Sequence, residues 1–240
     1  RGGLGYDEIT QHLNADDYLQ DHGGGDTYGR GNFYVAILGS PQDSGTWEFQ
    51  FGGHHLAVAN TYTDGKLVGA TPSFRGIEPN AAFKLDGRTN QPLKVKEPRS
   101  PRSWQACPAP SWPARGSPTS TPTSCSARAR TGPSRPTARA SRSRLSGNQR
   151  KRVLAAIATY VDDVADSDAA TIVKRYESEL DDTYVAYSGT TALTEKNDYV
   201  RIDGPSVWIE FSMQNGIVLP GNHPHSLWRD RTTDYGGTKS

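Results

Sequence analysis

Within Gly221–Asp230, which reads GNHPHSLWRD, two histidines flank a proline. Pro224 holds its own φ at about −65° and pushes His223 toward an extended conformation. Residues two apart in an extended chain project to the same side, so His223 and His225 aim both imidazoles into one space. Two nitrogens placed this way reach a single metal ion at roughly 2.0–2.1 Å. His-x-His is short and frequent by chance, however. Without further donors the segment reads equally as a decorated turn.

A second doublet offers a further donor. His54 and His55 stand in FGGHHLAV, where paired glycines bend the chain or admit something close to the backbone. Neighbours on a strand point to opposite faces. One of the two is therefore expected to join His223 and His225, with His55 preferred over His54. Four of the six histidines fall in these two doublets, which favours a shared site over scattered roles. Glu210, in SVWIEFSM, alternates with apolar Ile209 and Phe211. It either completes a His/carboxylate set or accepts a hydrogen bond from a ligand's other ring nitrogen; a solvent-facing or ion-paired carboxylate is the plain alternative. Imidazoles with one carboxylate suit zinc, copper or iron and disfavour calcium or magnesium. Three ligands and an open position would activate water, or support redox chemistry with copper or iron.

Arg229, Asp230 and Asp234 form the other constellation, in LWRDRTTDYGG. A guanidinium fork clamps carboxylate, sulfate or phosphate, which makes Arg229 and Asp230 candidates for holding an anionic small molecule. The structural alternative is an Arg–Asp pair pinning the chain terminus. Tyr28 and Arg30 lie in the glycine-rich GGGDTYGRGN, but that loop does not follow a strand and open a helix as a phosphate loop does. No G-x-S-x-G nucleophile signature is present.

The elements that must carry these residues follow from periodicity. Tyr6–Gln20 spaces Ile9, Leu13 and Tyr18 or Leu19 at helical intervals. Strand-like runs begin at Phe33, Thr46 and His54; in TWEFQF the aromatics Trp47, Phe49 and Phe51 alternate with Glu48 and Gln50. TDGK at Thr63–Lys66 suits a type I′ hairpin turn. Ser146 is placed to cap a helix with an apolar stripe of Val153, Leu154, Ile157, Tyr160, Val161 and Val164. A second helix, capped by Ser167 or Asp168, turns Ile172, Val173, Tyr176 and Leu180 to the core. Strands return at Thr183, Asp198 and Pro205, and the Asp-Gly of RIDGPSVW predicts a hairpin between the last two. Strand clusters on either side of a helix pair indicate a single α+β domain over 1–240, a largely antiparallel sheet with the helix pair packed on it.

The chain is long enough for a proper core at 240 residues, and a net charge of +1 argues against a polyanion partner. Its longest apolar run, Val153–Val161, falls far short of a membrane span. The opening RGGLGYDEIT reads as the start of a mature or trimmed chain. Together with many glycines, tyrosines and tryptophans it suggests an exported protein, secreted or periplasmic or at the cell surface. Pro98–Arg144 departs from all of this, with no Asp, Glu, Lys, Val, Ile, Leu, Phe or Tyr. Residues 98–145 are read as an aberrant or disordered Arg/Pro/Ser-rich insert, and both cysteines, Cys107 and Cys125, fall inside it. GC-rich coding DNA read out of frame yields this mixture, and shifting the frame restores turn glycines, mixed charge and an alternating V-E-V. A nucleic-acid-binding arginine arm is the least favoured reading.

FGGHHLAVANTY, DYVRIDGPSVWIEFSMQNG and NHPHSLWRDRTTDYGG together resemble a bacterial family of exported proteins known only as a domain of unknown function. That family carries a His-His stretch on a strand and ends in Asn-His-x-His-x-x-Trp-Arg-Asp, matched here at Asn222, His223, His225, Trp228, Arg229 and Asp230. The similarity covers Gly3–Glu97 and Ser146–Lys239. It implies no activity. The residues themselves point to a transition-metal site (zinc, copper or iron) in a hydrolase or oxidoreductase, against a non-catalytic extracellular binding module with structural histidines.

Overall fold

The computed structural model describes residues 2–92, 145–190 and 192–237; the reading made of 98–145 lies almost wholly outside them. Helix α1 (Gly2–Leu19) opens the chain and passes through irregular turns into a run of strands. These are β1 (Tyr34–Leu38), β2 (Thr46–Gly52), β3 (Leu56–Thr63), β4 (Lys66–Gly69), β5 (Ser73–Gly76), β6 (Phe83–Leu85) and β7 (Arg88–Asn90). The second block holds α2 (Gly147–Val161), α3 (Asp166–Ser178), β8 (Tyr184–Ser188), β9 (Tyr199–Asp203), β10 (Val207–Asn215) and β11 (Asn222–Asp230).

Strands from both blocks join one nine-stranded antiparallel sheet in the order β1-β2-β3-β5-β11-β10-β9-β8, with β4 on the side of β3 and β6–β7 as a separate ribbon. The architecture is α+β and mostly sheet. The last strand closes it: β11 pairs with β10 on one side and with β5 on the other. Pro224 thus sits in a central strand, where a missing N–H is normally costly. The ladder tolerates it because Met213, its partner on β10, spends both backbone groups on Asn197 and Asp198. On the other side β5 has already ended, and the Pro224 carbonyl accepts from Ile77 N.

One face of the sheet turns Val200, Ile202, Ile209, Phe211, Met213 and Trp228 to α2 and α3, which answer with Val153, Ile157, Tyr160 and Tyr176. Alternation along β10 and β11 thereby commits the even positions of β11 to this core. Its odd positions, His223 and His225 included, go to the opposite face, beside Gln214 and Ser212 of β10. The Ser146 capping box forms as expected, with Gln149 returning the bond. Helix α3 instead starts at Asp166, and neither Ser167 nor Asp168 caps it: its N-cap is Ala165 without a side-chain bond, because the Ala165 carbonyl already accepts from Asp168 N and Ala169 N and so places Ser167 and Asp168 inside the first turn. The Asp64-Gly65 turn has both residues at positive φ (50° and 71°), the type I′ requirement.

Arg75 on β5 ties the layers together. Buried in the interior, its guanidinium meets Glu8 of α1 at 3.0 Å and also Asp163, between α2 and α3. Four-residue steps from Glu8 reach His12 and Asp16 on the same stripe of α1, and all three are buried. The first helix therefore delivers polar groups, not only apolar ones, to the interior. Among the described residues no helix is long and apolar enough to cross a membrane.

Candidate metal centre

Three histidines from two distant parts of the chain meet on the face opposite the helix pair. His55 lies in the turn between β2 and β3; His223 and His225 are on β11. The Nε2 of His55 is 2.7 Å from that of His223, which is 2.9 Å from that of His225. Gly76 makes the convergence sterically feasible. It is the register partner of His225, and its N–H donates to the His55 carbonyl at 2.8 Å, so it lies between the two rings on the middle strand. A β-carbon there would stand 2.6 Å from His55 Cδ2 and 2.7 Å from His225 Cδ2, closer than any settled packing contact.

The three rings form a group that could hold a cation. Each imidazole nitrogen carries one in-plane lone pair or one N–H. His223 Nε2 therefore makes a full linear hydrogen bond to only one of its two Nε2 neighbours. One cation among three lone pairs would satisfy all of them. A proton is a poor choice, since burial holds each ring neutral. The His55 pKa lies far below the ordinary histidine value, first through burial and then through the other histidines around it, His12 among them. Burial pushes His225 down to about 3. Burial also lowers His223, against the opposing pull of Glu78. Neutral imidazoles are the form that ligates metal. Tetrahedral ligands at about 2.05 Å stand roughly 3.3 Å apart, so an ion asks these rings to part by about half an ångström.

Glu78 supports the group from behind. Fully buried at 1% exposure, it accepts at Oε1 from the backbone N–H of Ile217, Val218 and Leu219 at 2.8, 2.9 and 2.7 Å. Its Oε2 faces His223 Nδ1 at 3.6 Å. A carboxylate on the far nitrogen of a ligating histidine orients the ring and fixes its tautomer.

His54 is adjacent but distinct. Because His54 and His55 occupy a turn and not a regular strand, strict alternation does not apply, and the two rings lie side by side with centroids 3.7 Å apart. His54 Nδ1 meets Asp16 Oδ1 at 3.1 Å, and Asp16, His54 and His55 form a second group able to hold a metal. The paired glycines expected to admit a close neighbour do so at Gly53, where a β-carbon would fall 2.5 Å from the Phe33 ring.

The remaining candidates lie elsewhere. Glu210 shares the sheet face of His225 but sits one step further along, where Tyr199 donates to its carboxylate and Arg201 stands at 4.0 Å. Arg229 is four residues, about 13 Å, up the strand from His225, and is clamped onto Asp234 at 2.5–2.6 Å. Asp230 is buried against the helix side and takes hydrogen bonds from Arg175, Tyr176 and Thr232. Both have protein partners in place of an anionic ligand. Sequence reasoning missed Gly76, Glu78, His12 and Asp16. The four-residue spacing of Glu8, His12 and Asp16 on a helix was the available signal for the last two; nothing local marks Gly76 or Glu78.

No curated protein and no solved structure matches the chain. A family model does match, over residues 2–237, and the chain belongs to that family, described as Protein of unknown function (DUF3500).

Proposed function

We propose that the protein is a metal-dependent enzyme in which His55, His223 and His225 hold a transition-metal ion through their Nε2 atoms. The observation that carries this reading is the convergence of three imidazoles, His55 and His223 buried and His225 half-buried, whose Nε2 contacts cannot all be linear hydrogen bonds. Three protein ligands leave a coordination position for water or substrate, the arrangement of catalytic rather than closed structural zinc sites. A bound ion of this kind lowers the pKa of its water to about 7 and polarises a carbonyl or phosphoryl oxygen. The protein's own part is to keep the rings dry, to hold His223 in the Nδ1–H tautomer against Glu78, and to leave room over Gly76. Hydrolysis of a small polar or anionic molecule, outside the cytoplasm, is the activity this supports best.

The test is metal content of the full chain after loading with zinc, copper(II) or iron(II), beside a folded His223→Ala/His225→Ala variant. Near-stoichiometric zinc lost in the variant, with cleavage of activated ester or phosphodiester substrates lost in parallel, is the expected result. Retention of copper or iron alone would move the chemistry to oxidation. No metal in either protein would leave a binding module with structural histidines, a reading favoured by the hydrogen-bonding length of the two Nε2 contacts.

A further inference from the structure

The second group, Asp16 with His54 and His55, has features that a merely structural Asp–His pair does not need. Asp16 is a carboxylate at 1% exposure, and among the described residues no lysine or arginine lies within ion-pair distance of it. Nearby Arg30 is already committed to Asp17 and Asn14. The Asp16 carboxylate is nonetheless held in place: Oδ2 accepts from Gly29 N at 2.8 Å, and Gly29 has φ +107°, a conformation reserved for glycine. A buried anion without a full counter-charge is expensive unless a cation completes it. His54 is positioned too, with its ring edge-on to Tyr28 at 4.6 Å between centroids and its side chain 30% exposed, which gives an ion a path from solvent. Finally, His55 uses Nε2 toward His223 while its Nδ1 is buried with no hydrogen-bond partner. One ligand atom from each of Asp16, His54 and His55 lies within 4.8 Å of the others.

We propose that Asp16 and His54 hold a second divalent cation beside the first, with His55 shared between them as an imidazolate whose remaining ring N–H proton leaves to solvent when the second ion binds, so that the centre is binuclear. This rests on the reading of His55, His223 and His225 as the first site. The second site differs from the first in being anionic and in touching solvent. It therefore binds a harder ion more weakly and loads after the first. Two divalent ions against the carboxylates of Asp16 and Glu78 and the shared His55 imidazolate still leave the centre positively charged. The substrate class this selects is an oxyanion, a phosphate ester or a carboxylate.

The experiment is a zinc titration of the chelator-stripped full chain, with bound zinc counted after gel filtration, repeated on His54→Gln, Asp16→Asn and His223→Ala/His225→Ala. His54→Gln alters a partly exposed side chain and should fold even where the buried Asp16→Asn does not. Expected is a stoichiometry of about two in the parent, with the weaker step absent from His54→Gln while the tighter one persists. A single equivalent in the parent, unchanged in His54→Gln but lost in the double histidine variant, overturns the binuclear proposal and leaves the three-histidine site standing. No zinc in the parent overturns both.

Discussion

Gly76 and His225 are register partners on β5 and β11, and the missing side chain of the first is the space the second ring occupies. Gly76→Ala should therefore injure the centre before it injures the fold. Zinc affinity is expected to fall on the order of 10–100-fold, as when an outer support is lost, with a stability cost of about 1–3 kcal/mol from overpacking. Competition titration against a chromophoric chelator and a urea melt measure the two separately. Unchanged affinity would mean that the rings do not need this space.

Glu78 has two separable jobs. Oε1 caps the backbone N–H groups of residues 217–219, and Oε2 faces His223. Glu78→Gln keeps an acceptor for the turn and removes the charge, so metal affinity drops while the unfolding midpoint moves little. Glu78→Ala removes the acceptor of three part-buried donors and should lower the midpoint more than Glu78→Gln does, by about 1–3 kcal/mol. Equal destabilisation by both variants would refute the division of labour.

Metal should stabilise the folded chain by mass action. At about 100 times the dissociation constant, zinc adds roughly 2.7 kcal/mol, and the gain vanishes when His223 and His225 are both alanine. Differential scanning calorimetry across a zinc series checks this. An equal rise in the double variant would place the binding elsewhere.

Acid should release the buried network around Asp230. Burial alone would raise this carboxyl, but hydrogen bonds from Thr232 and Tyr176 and the nearby Arg175 win, and its pKa lies below the ordinary 3.8. A depressed carboxyl contributes stability that is fully present above the unfolded value and is lost as pH falls through the folded one. Asp230→Asn should thus cost about 3 kcal/mol at pH 7, the order of breaking a buried pair. The gap from the parent should close once the pH is well below 3.8. Urea unfolding from pH 7 to pH 2 follows it, and a gap that stays constant with pH would contradict the assignment.

Local order was legible in the residues. Alternation in TWEFQF and SVWIEFSM, the apolar stripe behind Ser146 and the two Asp-Gly turns mark strands, a helix and hairpins because they depend on neighbours within a few positions. The same short-range rule gave His223 and His225 one face, and the sheet keeps it. Its strand alternation does not describe the turn of His54 and His55, where the two rings lie side by side, although it is the preferred His55 that meets His223. It also overreached at Glu210, which has the right face but lies too far along the strand and is already held by Tyr199 and Arg201.

Which strands distant in the chain become neighbours was decided only in three dimensions. His55 and His223 are 168 positions apart and meet because β11 inserts between β5 and β10, a choice driven by burying Trp228, Phe211 and Ile209 against the helix pair on the other side of the sheet. Gly76 and Glu78 matter only once that insertion has occurred, and Asp16 only once Arg75 has drawn α1 onto the sheet through Glu8. By itself the sequence determined which side chains can donate and which share a strand face, because covalent spacing sets those. The assembly of donors from separate segments into one centre was left to long-range packing, because apolar burial, which carries no directional code, selects among strand orders that local patterns leave equivalent.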